Sequence, residues 1–328
     1  MYRKEKPINF QGSASAINNN LSIGIQSDKD RLHYAIVHKS VVNVITASLD
    51  GKSVSTRQVA CKEQASVASC VVIQAKIVKV AERLILVVTS QKGIHIYEVE
   101  GLLLLYAFSL PQPESTHTCT LARGIAVLLD NVVCIGTYEG HVLILSVPSK
   151  GNNIELVETL RFHTYPIAAL DGVGECLVVA DEKGELSVWS AGQPFTRTNR
   201  GVAGTSSDCV TSLALCANNL IACSTSSGAI RLLCVETCNV LAQIDGHARC
   251  ITSLSSAPKS GLILSTSEDC MVRVWRVMRN KTDIEVELVF SEHVADTMLQ
   301  GSSFLSPNGK AFALTAYDSS KLLFYFSQ

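Results

Sequence analysis

Residues 265–277 read STSEDCMVRVWRV, and DGHARCITSL occupies 245–254 just upstream. Between His247 and Trp275 the chain gathers a histidine, Ser267, Asp269 and Cys270. A serine, an acid and a histidine this close suit a hydrolase triad, the cysteine invites a metal, and a purely structural role fits as well. The shape of the stretch bears on the choice. An apolar run (LILSTS) meets a polar turn (EDC) and then an alternating run (MVRVWRV), which is the pattern of a β-hairpin.

The same shape recurs along the chain. Clear copies are LILVVTSQKGIHIYEV (84–99), VVCIGTYEGHVLILSV (132–147), CLVVADEKGELSVWS (176–190) and LIACSTSSGAIRLLCV (220–235). AFALTAYDSSKLLFYF (311–326) is a further copy, and LHYAIVHKSVVNVITA (32–47) is a weaker one. Aligned on the turn, the copies centre on Ser40, Gly93, Gly140, Gly184, Gly228, Cys270 and Ser320, with gaps of 53, 47, 44, 44, 42 and 50 residues. A period near 40–45 residues allows about four strands per unit, as in a propeller blade. No segment sustains a 3.6-residue apolar period, so helices are not expected. The expectation is an all-β, seven-bladed β-propeller spanning 1–328 as a single domain. Asp50-Gly51 offers an alternative turn register in the first blade. The last hairpin leaves no residues for an outer strand, so Pro7–Gln11 is expected to complete the last blade and clasp the ring.

Gly246-His247 followed by Trp275 resembles one repeat of the WD-repeat family. The resemblance implies that His247, Ser267, Asp269 and Trp275 form a hydrogen-bonded structural tetrad. The residues agree: a buried indole N–H needs a partner, and a satisfied polar network fixes one packing arrangement. The fourth blade keeps His163 and Trp189 but has Lys183 at the turn-acid position, and the other blades end in residues such as Tyr97, Leu145 or Leu233. A hydrolase would need a strained nucleophile with an oxyanion hole beside it, and no G-x-S-x-G is present.

The composition argues in the same direction. The chain has 328 residues, 28 basic against 29 acidic side chains, and 47% hydrophobic residues. Without a basic block, nucleic acid is not an expected partner. Apolar runs such as LILVV (84–88) and LLLLYAF (102–108) are too short to span a bilayer, and the basic N-terminus lacks the apolar segment of a signal peptide. The twelve cysteines show no C-x-x-C pair. A reducing, cytoplasmic setting is expected, with the sequons at Asn20 and Asn280 idle.

Other chemistry is weaker. Cys209, Cys216, Cys223, Cys234 and Cys238 crowd one blade, yet lack the spacings of a closed zinc site. GSSFLSPNGKA (301–311) has the wrong spacing for a phosphate loop and reads as a turn between strands. His33 and His38 lie an odd number apart on one strand, so they point to opposite faces. His117–Cys119 is read as solvated, and SDKDRLH (27–33) as an exposed turn that lacks a calcium loop's glycine and glutamate. No metal or cofactor is expected.

Function is therefore sought on loops. The hairpin turns and the connections into the next blade share one face. Tyr138, Tyr165, Arg249, Glu268 and Tyr317 are the candidate partner-binding residues there. The expected function is a non-catalytic protein–protein interaction scaffold that binds other proteins or peptide segments. The alternatives are a constitutive subunit of a larger intracellular assembly, or an enzyme with its site at the axial channel.

Overall fold

The computed structural model describes residues 2–61, 70–100, 102–111, 120–204, 208–280 and 283–328. The His117–Cys119 pair and the last two positions of the Asn280 sequon lie outside these residues.

Each recurring hairpin forms the middle of an antiparallel sheet, and seven such sheets follow one another along the chain, six of four strands and the last of five. Blade 1 runs from the axis outward through Ser22–Gln26, Arg31–His38, Val41–Ser48 and Val54–Ala60. Blade 2 uses Val72–Val80, Arg83–Ser90, Gly93–Glu98 and Leu104–Ser109, and blade 3 uses Ala122–Leu128, Val132–Thr137, His141–Ser146 and Glu155–Arg161. Blade 4 comprises Ile167–Val173, Cys176–Asp181, Glu185–Ser190 and Thr196–Val202. Blade 5 comprises Val210–Cys216, Leu220–Thr225, Ala229–Cys234 and Val240–Asp245. Blade 6 is formed by Ile251–Ala257, Leu262–Ser267, Met271–Asn280 and Asp283–His293. The only helical element among the described residues is a 3-10 turn at Ser27–Lys29.

Blade 1 fixes the register left open by the sequence. Its central hairpin turns at Lys39-Ser40, whereas Asp50-Gly51 joins the third strand to the fourth.

Blade 7 closes the ring. Its strands Leu299–Phe304, Ala311–Ala316 and Lys321–Ser327 are completed on the outside by Tyr2–Lys4 and Ile8–Asn9. Tyr2 pairs with Ser327, Lys4 with Tyr325 and Ile8 with Leu322. Closure thus begins before Pro7, and only Ile8–Asn9 of the expected Pro7–Gln11 segment is strand. The reason is Tyr2, whose ring packs 5.4 Å from Phe290 and 4.9 Å from Phe312, while Arg3 and Lys4 face solvent.

The core lies between blades. A four-stranded sheet has two faces to bury, and each blade covers its neighbour. One apolar cluster spans each blade-to-blade interface, including the closing one, where Ala313, Leu322 and Phe324 of blade 7 meet Tyr34, Ile36 and Ile45 of blade 1. Among the described residues each blade is therefore covered by its neighbours.

Candidate functional site: struts, channel and turn face

In blade 6 a relay of hydrogen bonds runs inward from Trp275. The indole N–H donates to Ser265 Oγ at 2.9 Å, and Ser265 lies 2.8 Å from His247 Nε2. His247 Nδ1 lies 3.1 Å from Asp269. Asp269 also accepts the backbone N–H groups of Ala248 (3.0 Å) and Met271 (2.9 Å). Burial pushes the His247 imidazole down to about 4, against the opposing pull of Asp269, so the ring is neutral near pH 7. A neutral ring offers one donor and one acceptor. The partners assign them: Nδ1–H donates to Asp269, and Nε2 accepts the Ser265 hydroxyl. Every group is spent on its neighbour, which makes a strut.

The sequence reading placed Ser267 in this network, and the structure corrects it to Ser265. Ser267 Oγ instead donates to the Arg249 carbonyl and accepts the Asp269 N–H, both at 3.1 Å. The register gives the reason. Trp275 lies opposite Ile263 and Arg273 opposite Ser265, so Ser265 is the hydroxyl diagonal to the indole on the same sheet face. Ser267 lies one further step toward the turn and ties that turn instead.

Blade 4 holds a second complete strut that the sequence reading missed. Trp189 donates to Ser187 at 2.9 Å, Ser187 lies 2.7 Å from His163 Nε2, and His163 Nδ1 lies 3.0 Å from Asp181. Lys183 does occupy the turn position, but the acid is supplied two residues earlier, where blade 6 has Ser267. Asp181 Oδ1 then accepts the N–H groups of Lys183 and Glu185. The serine has also moved: Ser187 faces Val179 across the central hairpin, as Arg273 faces Ser265. Ser187 and Trp189 stand two apart on one strand, which was the available signal. Donor atoms of His163, Asp181 and Glu185 lie within 4.8 Å of one another. Both His163 nitrogens are already engaged, so an ion there would have to dismantle the strut.

Blade 5 ties the same region differently. Asp208 accepts the hydroxyls of Ser226 (3.1 Å) and Ser227 (3.0 Å), with Arg231 at 3.4 Å. The tight turns beneath these struts require left-handed backbone. Gly228 has φ +94, and an added Cβ would sit 2.2 Å from the His247 carbonyl oxygen. Cys270 adopts φ +64 at the corresponding turn of blade 6.

The axial channel encloses about 570 Å³ and is lined by the innermost strand of every blade. Its ionisable groups are tied up. Lys76 donates to the Ile125 carbonyl at 2.9 Å and lies 3.9 Å from Asp171, which accepts the Leu215 N–H. Arg123 pairs with Glu182 at 2.5 Å. One mouth is crossed by the connection between Ile8–Asn9 and Ser22–Gln26. Asn19 N–H donates to the Thr252 carbonyl and Asn20 N–H to that of Gln300. The Asn19 side chain accepts from Ser212 at 2.8 Å, and the Asn20 carboxamide bridges Ser15 and Val37. This segment thus joins blades 1, 5, 6 and 7 across the axis.

The candidate binding residues share that face but form two groups. Tyr138 lies in the central turn of blade 3 and Tyr165 in the connection into blade 4, where Lys183 stands 5.6 Å from its ring centroid. Arg249 and Glu268 adjoin in blade 6, since Glu268 N–H donates to the Cys250 carbonyl, and Tyr317 occupies the central turn of blade 7. Blade 5 separates the groups on one side and blades 1 and 2 on the other. Tyr138, Tyr165, Arg249 and Tyr317 are exposed, and Glu268 is half-buried.

Seven antiparallel blades in a closed ring, two of them braced by His–Ser–Trp–Asp struts, define a WD-repeat β-propeller. The chain belongs to the WDR54 family, whose model matches residues 1–328. It is 35% identical to "WD repeat-containing protein 54" of Mus musculus over 334 residues, covering 98% of both chains. The Homo sapiens protein of that name is 35% identical over 329 residues, covering 97% of both. "WD repeat domain 54" of Rattus norvegicus is 35% identical with 98% coverage of both. Solved propellers superpose across the ring. A chain of "Crystal Structure of Mitotic Checkpoint Complex" gives a TM-score of 0.73 at 18% identity, covering 98% of this chain and 91% of that one. "Structure of U3-55K" gives 0.73 at 16% identity, covering 99% and 98%. Membership of this family fits a protein-interaction scaffold in general. No helix among the described residues is long and apolar enough to cross a membrane.

Proposed function

We propose that this protein is a non-catalytic, cytoplasmic scaffold that binds other proteins or peptide segments through the face carrying the central hairpin turns. The observation that carries the reading is the chemistry of that face. Three tyrosines are exposed on it, Tyr138 (38%) and Tyr165 (47%) in one group and Tyr317 (50%) in a second group with Arg249 and Glu268. Aromatic and arginine side chains are the usual anchors of interfaces. Against turnover stand the engaged Lys76, Asp171 and Arg123 of the channel, and the asparagine segment across its mouth on this same face. Near-neutral charge supports protein rather than nucleic acid as partner. Free thiols in the described residues fit a reducing compartment. The test is affinity capture with Tyr138, Arg249 and Tyr317 replaced together by alanine. Loss of partners with unchanged melting supports the reading, and full retention of every partner overturns it.

A second reading, a fixed subunit of an assembly, is favoured by apolar residues on the outside of blades 2 and 3. Leu103 and Leu104 are 67% and 41% exposed, and Leu156 and Val157 are 39% and 54% exposed. A single stoichiometric partner, retained by the triple variant, would select it.

A further inference from the structure

We propose that Cys234 and Cys238, each 3% exposed in the turn at the edge of blade 5, form a peroxide-sensitive thiol pair that closes to a disulfide on oxidation. The two cysteines bracket the turn C-V-E-T-C between the third and fourth strands of the blade. Cys238 N–H donates to the Cys234 carbonyl at 2.8 Å, closing a five-residue hairpin turn in which Cys238 is left-handed (φ +55). That one hydrogen bond keeps the two Cα atoms within about 7 Å of each other, at the upper edge of the roughly 4.4–6.8 Å that a disulfide spans between Cα atoms. The turn therefore brings the two backbones to bridging distance before any oxidation.

The thiols are chemically unequal. Arg279, reaching over from blade 6, places its guanidinium 3.6 Å from Cys234 Sγ. Burial pushes the Cys234 thiol up, but the Thr237 hydroxyl, the Glu236 and Thr237 N–H groups and Arg279 together outweigh it and hold the thiol below its ordinary value. Burial, with its neighbours Cys234 and Cys176, pushes Cys238 up to about 11. Cys234 is therefore the attacking thiolate and Cys238 the resolving thiol. In the first step the Cys234 sulfur attacks hydrogen peroxide: an S–O bond forms, the O–O bond breaks, and hydroxide leaves. Sulfur loses two electrons, and peroxide gains them. In the second step the Cys238 sulfur displaces the sulfenic oxygen: the S–S bond forms, the S–O bond breaks, and water leaves with the Cys238 proton. Converting Cys234 to a neutral sulfenic acid also removes the negative charge that disfavours ionisation of Cys238.

The pair is placed to be felt by the neighbouring blade. Cys238 packs so closely on the outer strand of blade 4 that a Cβ added to Gly201 would lie 2.5 Å from its own Cβ. Drawing Cys238 toward Cys234 changes that contact.

The test uses the full reduced chain, exposed to hydrogen peroxide, alkylated and cleaved after arginine. Peptide 232–249 holds both thiols and no other cysteine. It is expected unalkylated and lighter by two hydrogens, and thiol reductant should reverse the change. In Cys238→Ser the Cys234 sulfenic acid should accumulate and be trapped by dimedone, and in Arg279→Ala oxidation should slow several-fold. Both thiols alkylated after peroxide has oxidised the exposed Cys209, or Cys234 bridged to Cys176 instead, would overturn the proposal.

Discussion

Ser265 Oγ lies 2.8 Å from Nε2 of His247 and 2.9 Å from the indole nitrogen of Trp275, so one hydroxyl satisfies two buried rings. Ser265→Ala should leave both rings unpaired and cost about 1–3 kcal/mol. Ser267→Ala removes only turn contacts and should cost less, about 1 kcal/mol. Ser187→Ala in blade 4 should resemble Ser265→Ala, because it bridges His163 and Trp189 in the same way. Urea unfolding of the three variants checks the order, and a larger loss from Ser267→Ala would contradict it.

The strut also predicts an acid sensitivity. His247 is held down to about 4 in the folded chain, against an ordinary 6.5. Between these values the unfolded chain binds a proton that the folded chain refuses, so stability rises with pH across the window and is lost as pH falls. The loss should approach about 3 kcal/mol by pH 4. Asp269, held below its ordinary value, adds to the loss at still lower pH. In His247→Gln the pH 4–6.5 slope should flatten, as read from melts across that range.

Gly228→Ala sets a side chain against backbone. Its φ of +94 disfavours any Cβ, and the clash partner at 2.2 Å is the carbonyl of His247, which cannot rotate away. The expected loss exceeds about 2 kcal/mol. Gly51→Ala, with φ +70 and nothing within 4 Å, carries only backbone strain and should cost about 1 kcal/mol. Thermal melts of the two variants give the comparison.

Ring closure rests on a tyrosine at the second residue. Tyr2 is buried among Phe290 and Phe312, and Tyr2→Ala should cost about 3 kcal/mol. Hydrogen exchange should rise first along Lys321–Ser327, the strand that Tyr2–Lys4 covers. Uniform exchange across all blades would show that closure is carried elsewhere.

The hairpins were legible because each couples an apolar strand to a turn and an alternating strand, a pattern local to some sixteen residues. The struts were only half legible. His247, Asp269 and Trp275 could be matched by motif, but the hydroxyl depends on cross-strand register, and a two-residue offset preserves the face while changing the partner. In blade 4 both acid and serine moved to positions that face the same space from another point on the hairpin, so Asp181 and Ser187 escaped a motif match. Tyr2 was hidden in YRKEKP because an outer strand needs only one buried side chain in three. The division of the candidate binding residues into two groups depends on blade order around the ring, which no local pattern carries.

The most direct measurement for the scaffold reading is lysine-directed cross-linking of the protein to its captured partners, mapped by mass spectrometry. Exposed lysines distinguish the faces: Lys39, Lys183 and Lys321 border the central hairpin turns, whereas Lys52, Lys150, Lys259 and Lys310 border the opposite face. Partner links are predicted to concentrate at Lys39, Lys183 and Lys321. Links concentrated at Lys52, Lys150, Lys259 and Lys310 would contradict the account.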